Sequence, residues 1–141
     1  MAEYADLTQC DYFPVKCSAL LAVGWLSAET RYTIGDSDPS FFAKLLELAE
    51  SPWQPVVCAG FHECELCQFQ PALGTANIFV PYEGNIYVAP ELIVHYIAAH
   101  RYKPPRIFID AVVTCPRMNS MDYKKAILAN GGRSLVSRRI A

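Results

Sequence analysis

The chain lacks any apolar run of the roughly 18 residues that a membrane-spanning helix needs. Its best one, Ser18 to Leu26, is half that length. It also lacks a basic leader: the first residues, Met1-Ala2-Glu3-Tyr4-Ala5-Asp6, are acidic where a secretory signal would be positive. There is no glycine-rich phosphate loop, no paired-carboxylate motif, no internal repeat and no low-complexity tract. Charged residues are scarce at 18%, and the net charge is only −2, so the chain as a whole calls for no polyanionic partner. These absences argue for a cytoplasmic protein with no membrane contact. In a reducing compartment the six cysteines need a reason other than disulfides.

What is present is a hydrophobic fraction of 52% in 141 residues, which excludes a disordered chain and suits one domain over 1–141 with its own core. Eight tyrosines, seven phenylalanines, two tryptophans and ten prolines point to a turn-rich fold rather than a helical bundle. Residues 1–16 read as an irregular lead-in. Cys17 to Trp25 reads equally as a buried strand or a short core helix. Asp38-Pro39 is a helix start, with an N-cap followed by a first-turn proline, and the helix runs to Glu50 before Ser51-Pro52. Gln54–Cys58 reads as a short strand. Asn77–Val80 and Asn85–Val88 flank Pro81-Tyr82-Glu83-Gly84, a hairpin signal. Pro90 opens a helix to His100 that Lys103-Pro104-Pro105 breaks; its near-continuous apolar sequence from Leu92 to Ala99 predicts burial on most of its surface. Two further helices follow, over Arg106–Thr114 and Met121–Asn130, the second stopped by Gly131-Gly132, and 133–141 read as a frayed basic tail. The mixed order predicts an α+β fold: a small, mostly antiparallel sheet with packed helices and a Cys/His zinc knuckle.

The strongest chemistry lies in Gly60-Phe61-His62-Glu63-Cys64-Glu65-Leu66-Cys67. A Cys-x-x-Cys turn aims two sulfurs at one point, as zinc knuckles do. His62 lies two residues before it, and the other two histidines, His95 and His100, share the later helix. Two thiolates and two neutral imidazoles would leave a Zn²⁺ site neutral. His95 and His100 are five residues apart, about 140° around a helix. On the wheel His95 lies on the flank and His100 amid the apolar face. The expected ligands are therefore His62, Cys64, Cys67 and His95, with His100 packing in the core, bonded to backbone or to Tyr102. The alternative set is Cys64, Cys67, His95 and His100. A redox role is disfavoured, because Glu63 and Glu65 flank the cysteines and would raise the thiol pKa.

The pattern Gly60-Phe61-His62-x-Cys64-Glu65-x-Cys67, Tyr87-x-Ala89-Pro90-Glu91-Leu92 and His95-Tyr96-Ile97-x-x-His100-x-Tyr102-x-Pro104-Pro105-x-x-Phe108, with Val23-Gly24-Trp25-Leu26 upstream, resembles an uncharacterised family of small bacterial proteins. The resemblance covers residues 18–115. It implies one folded unit and the Cys/His site, and no activity.

The expected function is a small protein-interaction or regulatory module with a structural zinc and no catalytic residue, bound to a protein partner. One alternative is a zinc- or Cys/His-dependent hydrolase, with Glu63 or Glu65 as general base or Cys64 paired with His95. A second is a nucleic-acid-binding protein. Residues 101–141 hold nine basic and two acidic side chains, while 1–100 hold three and twelve. Lys124, Lys125, Arg133, Arg138 and Arg139 would form its footprint.

Overall fold

The computed structural model describes residues 3–56 and 61–136. Its centre is a three-stranded sheet in the order β1-β5-β4: β1 (Leu20–Ala22), β4 (Asn77–Tyr82) and β5 (Asn85–Pro90). β4 and β5 form the expected hairpin, in register from Asn77↔Pro90 to Tyr82↔Asn85. Its two-residue turn, Glu83-Gly84, has φ of 46° and 88°. Positive φ at both positions gives the turn a twist that matches the strands. Both strands are buried along nearly their whole length, so they read as continuous apolar runs rather than alternating ones.

Within the Cys17–Trp25 segment, Leu20–Ala22 form a strand. β1 pairs with β5 in parallel, Leu20↔Ile86 to Ala22↔Val88. The lead-in is irregular but tied to it: Leu7 N–H donates to the Ala22 carbonyl, Ala22 N–H to that of Thr8, and Cys10 N–H to that of Leu20. The far edge, β4, carries Pro81, which an edge strand tolerates. Gln54 does not sit in a strand. Its side-chain amide instead donates to the Asn77 carbonyl at 2.6 Å and accepts from Asn77 N–H at 3.2 Å. The rest of the strand expected over Gln54–Cys58 falls partly on 57–60, outside the described residues.

Among the described residues, five helices surround the sheet. α1 (Pro39–Glu50) starts as the sequence predicts, with Asp38 accepting from Ser40 N–H, and buries Phe41, Leu45 and Leu48 at i, i+4 and i+7. α2 (Ile93–His100) begins three residues later than expected, because Pro90 ends β5. It is buried on one face only: Ile93 and Tyr96 point inward, while Ala98 and Ala99 are exposed. Expecting burial on most of its surface was wrong, since alanine is as favourable on a helix surface as in a core. α3 (Arg106–Thr114) packs on α1 through Phe41 and Phe108. α4 (Met121–Ala129) is capped by Ser120 and sends the Tyr123 hydroxyl to the Phe79 carbonyl at 2.6 Å. The frayed tail needs correcting over its first residues: 133–136 form α5 (Arg133–Val136), held by buried Leu135. Residues 137–141 lie outside the described ones.

The buried side chains form one continuous core. The fold is α+β, with mostly antiparallel pairing and the Cys/His knuckle on its rim. The knuckle is built on a two-stranded ribbon, β2 (His62–Glu63) and β3 (Leu73–Gly74), paired antiparallel.

Candidate metal centre

The ribbon presents the knuckle as follows. His62 and Glu63 pair with Gly74 and Leu73, and Cys64 N–H continues the ladder to the Ala72 carbonyl at 2.9 Å. The chain then turns through Glu65 and Leu66 to Cys67. Burial pushes the Cys64 thiol above its ordinary value, while the backbone N–H groups of Leu66 and Cys67 act on its sulfur in the opposite sense. Donors so placed favour a thiolate over a thiol.

Three contacts fix the knuckle to the rest of the protein. The Glu65 carboxylate accepts from Ala28 N–H at 3.1 Å, which ties the turn to the loop after β1. The Glu91 carboxylate accepts from Thr75 and Ala76 N–H and clamps the segment after β3. Gly74 lies against the same side chain: a Cβ there would stand 2.8 Å from Glu91 Cγ and 3.2 Å from Leu92 Cγ. The ribbon therefore sits directly on the β5–α2 junction, beside the helix that carries two histidines.

At this junction the ligand-type atoms of Cys64, Cys67, His95 and His100 all lie within 4.8 Å of one another. Cys67 Sγ is 3.2 Å from His95 Nε2 and 3.6 Å from His100 Nε2, Cys64 Sγ is 3.5 Å from His100 Nε2, and the two Nε2 atoms are 3.2 Å apart. A tetrahedral ion with ordinary Zn–S and Zn–N bonds would set sulfur–nitrogen edges of about 3.6 Å and nitrogen–nitrogen edges of about 3.3 Å. The observed edges match this within a few tenths of an ångström. Hydrogen bonding uses the cluster less well. If each thiol donates to one imidazole, the two nitrogens are left facing each other lone pair to lone pair. A cation takes one lone pair from each atom instead. Burial, and the neighbouring His100, hold the His95 pKa below its ordinary value, so the ring is neutral as ligation requires.

His100 therefore belongs with the cluster, and His62 does not. The wheel argument treated side chains as radial spokes. A helical side chain leans toward the N-terminus and covers the turn before its own Cα, which brings the His100 ring back to the level of His95. α2 stays regular through His100 and stops at Arg101, which takes φ 53° and sends its N–H to the Tyr96 carbonyl. No unwinding before Pro104 is needed. His100 makes no bond to Tyr102; its carbonyl accepts from the Tyr32 hydroxyl at 3.1 Å. The direction of helical side chains was the signal that would have found it.

His62 points inward like Cys64, but its ring packs against Tyr12 and Trp25, with centroids 5.6 and 5.4 Å away. Burial lowers its pKa, so it serves as a neutral core ring. Of the other residues singled out, Glu63 is exposed, Glu65 is engaged with Ala28, and Lys124, Lys125 and Arg133 lie on α4 and α5. Arg138 and Arg139 are outside the described residues. No described helix is long and apolar enough to cross a membrane.

No curated protein and no solved structure matches the sequence. One family model does, over residues 2–113, which span the sheet, the knuckle and α1 to α3 except for its last residue. The chain belongs to the family described as Domain of unknown function (DUF7919).

Proposed function

We propose that this protein is a small protein-interaction or regulatory module whose knuckle is held by one structural Zn²⁺, bound by Cys64, Cys67, His95 and His100. The observation that carries this reading is the near-tetrahedral spacing of four soft or borderline donors drawn from two distant segments. Two sulfurs and two imidazoles suit zinc rather than magnesium or calcium, which take oxygen. When bound, the ion would supply a neutral cross-link between ribbon and helix. Four protein donors fill a tetrahedron and leave no position for a reacting water, which disfavours the hydrolytic alternative. Glu65 is also already committed to Ala28 N–H, so it is no free general base.

The test is metal analysis of protein purified without a polyhistidine tag. About one zinc per chain is expected. Well under half an equivalent, in protein that has not seen a chelator, would overturn the proposal. Chelation should lower the melting temperature, because metal binding adds to folding free energy.

A further inference from the structure

We propose that the acidic, apolar face of the β2–β3 ribbon docks onto the basic, apolar face of α4 in a second copy of this chain. The inference rests on the zinc reading only in that the ribbon must be held in place.

On the ribbon, alternation turns His62 inward and Phe61 and Glu63 outward, and Leu73 lies opposite Glu63 on the same outer side. Phe61 is 64% exposed, Leu73 60%, and Phe69, in the intervening loop, 86%. Three large apolar side chains thus face solvent within one short segment, beside the exposed carboxylates of Glu63 and Glu65. Such clustering on one element marks an interaction surface, whereas single exposed hydrophobics are ordinary.

The complementary surface is on the same molecule. α4 buries Tyr123 and Ile127 on one side. On the other it exposes Met121 (67%) and Leu128 (43%), with Lys125 between them and Lys124 on the flank. Residues 121, 125 and 128 fall on a single stripe of a helix. Neither lysine has an ion-pair partner among the described residues, and neither does Glu63. The wider charge pattern agrees: residues 1–100 sum to −9 and 101–141 to +7, from three basic and twelve acidic side chains against nine and two. One chain thus offers both halves of a matched contact. Phe69 and Leu73 would pack against Met121 and Leu128, with Glu63 meeting the lysines at the rim. The contact joins two different faces, and each copy carries one of each.

Sedimentation equilibrium on the full chain tests this. The weight-average mass of the wild type should rise above that of the monomer as concentration approaches about 0.5 mM, and association should weaken about tenfold from about 50 mM to about 0.5 M salt. A ribbon variant, Phe69→Ser with Leu73→Thr, and a helix variant, Lys124→Glu with Lys125→Glu, should each stay monomeric alone. Mixed together they should form a one-to-one heterodimer and nothing larger, because each keeps one intact half. Circular dichroism and zinc content check that both variants are folded and loaded. Zinc-loaded wild type that stays monomeric throughout overturns the inference and leaves the metal site standing. So does a mixture that fails to pair, or a folded variant that associates like wild type. Wild type that associates although purified, without chelator, holding well under half an equivalent of zinc would instead overturn the metal reading alone.

Discussion

Replacing His100 with alanine separates the observed cluster from the ligand set that spacing alone suggests. The substitution removes one of four donors whose nitrogen lies 3.2 to 3.6 Å from three neighbouring ligand atoms. Structural zinc sites of this type contribute about 10–16 kcal/mol in isolated fingers, or about 2.5–4 kcal/mol for each of four ligands if shared equally. His100→Ala should therefore weaken zinc binding by roughly two to three orders of magnitude. His62→Phe, in contrast, keeps an aromatic ring against Tyr12 and Trp25. It should retain one zinc and change stability by at most about 1–3 kcal/mol, the range for a core ring of altered shape. Competition with a chromogenic chelator gives both affinities. Denaturation in excess chelator is the control: there His100→Ala and wild type should converge to within about 1 kcal/mol, since the His100 ring acts chiefly through the ion. A His100→Ala protein that binds zinc like wild type, or a His62→Phe protein that loses it, would refute the assignment.

Three further outcomes are expected. Gly74→Ala forces a Cβ to within 2.8 Å of Glu91 Cγ; it should cost about 1–3 kcal/mol in urea denaturation and speed zinc loss to a chelator, because the ribbon must lift from α2. Asp38→Ala removes the carboxylate that accepts from Ser40 N–H; it should lower stability by about 1 kcal/mol with zinc content unchanged, as that carboxylate caps α1 and bonds Ser40 rather than a ligand. Burial pushes the Cys10 thiol up from 9.0 to about 11 and that of Cys115 to about 12. The unfolded chain therefore ionises these groups first, and urea midpoints should fall as pH rises from about 9 to 12. A flat profile across that window would count against their burial.

Local signals in the sequence were the reliable ones. Asp38-Pro39 announces α1, Glu83-Gly84 announces the hairpin, and Cys64-x-x-Cys67 with His95 announces most of the cluster. The failures involve partners far away in sequence. The parallel pairing of β1 with β5 joins residues more than sixty positions apart, so an apolar run such as Leu20–Ala22 cannot declare its partner. Nothing near Glu91 in the sequence announces that its carboxylate clamps the N–H groups of Thr75 and Ala76. Gln54 reads as the start of a strand, but it is its side-chain amide, not its backbone, that bonds the Asn77 backbone. His62 misleads for a comparable reason: whether its ring packs or reaches the sulfurs depends on Tyr12 and Trp25, which the knuckle sequence does not contain.

The two halves of the cluster have a consequence for the order of folding. Cys67 and His95 are 28 residues apart, and the whole β4–β5 hairpin lies between them. Closing a flexible loop of that length costs about 3 kcal/mol in chain entropy. Once the hairpin has formed, its ladder has already brought the ends together and the ion meets little of that cost. Zinc capture should therefore follow hairpin formation. Affinity for the metal then becomes a gauge of the sheet: a packing defect at Phe79 or Val88, buried residues of the hairpin, would appear first as an ion held less tightly.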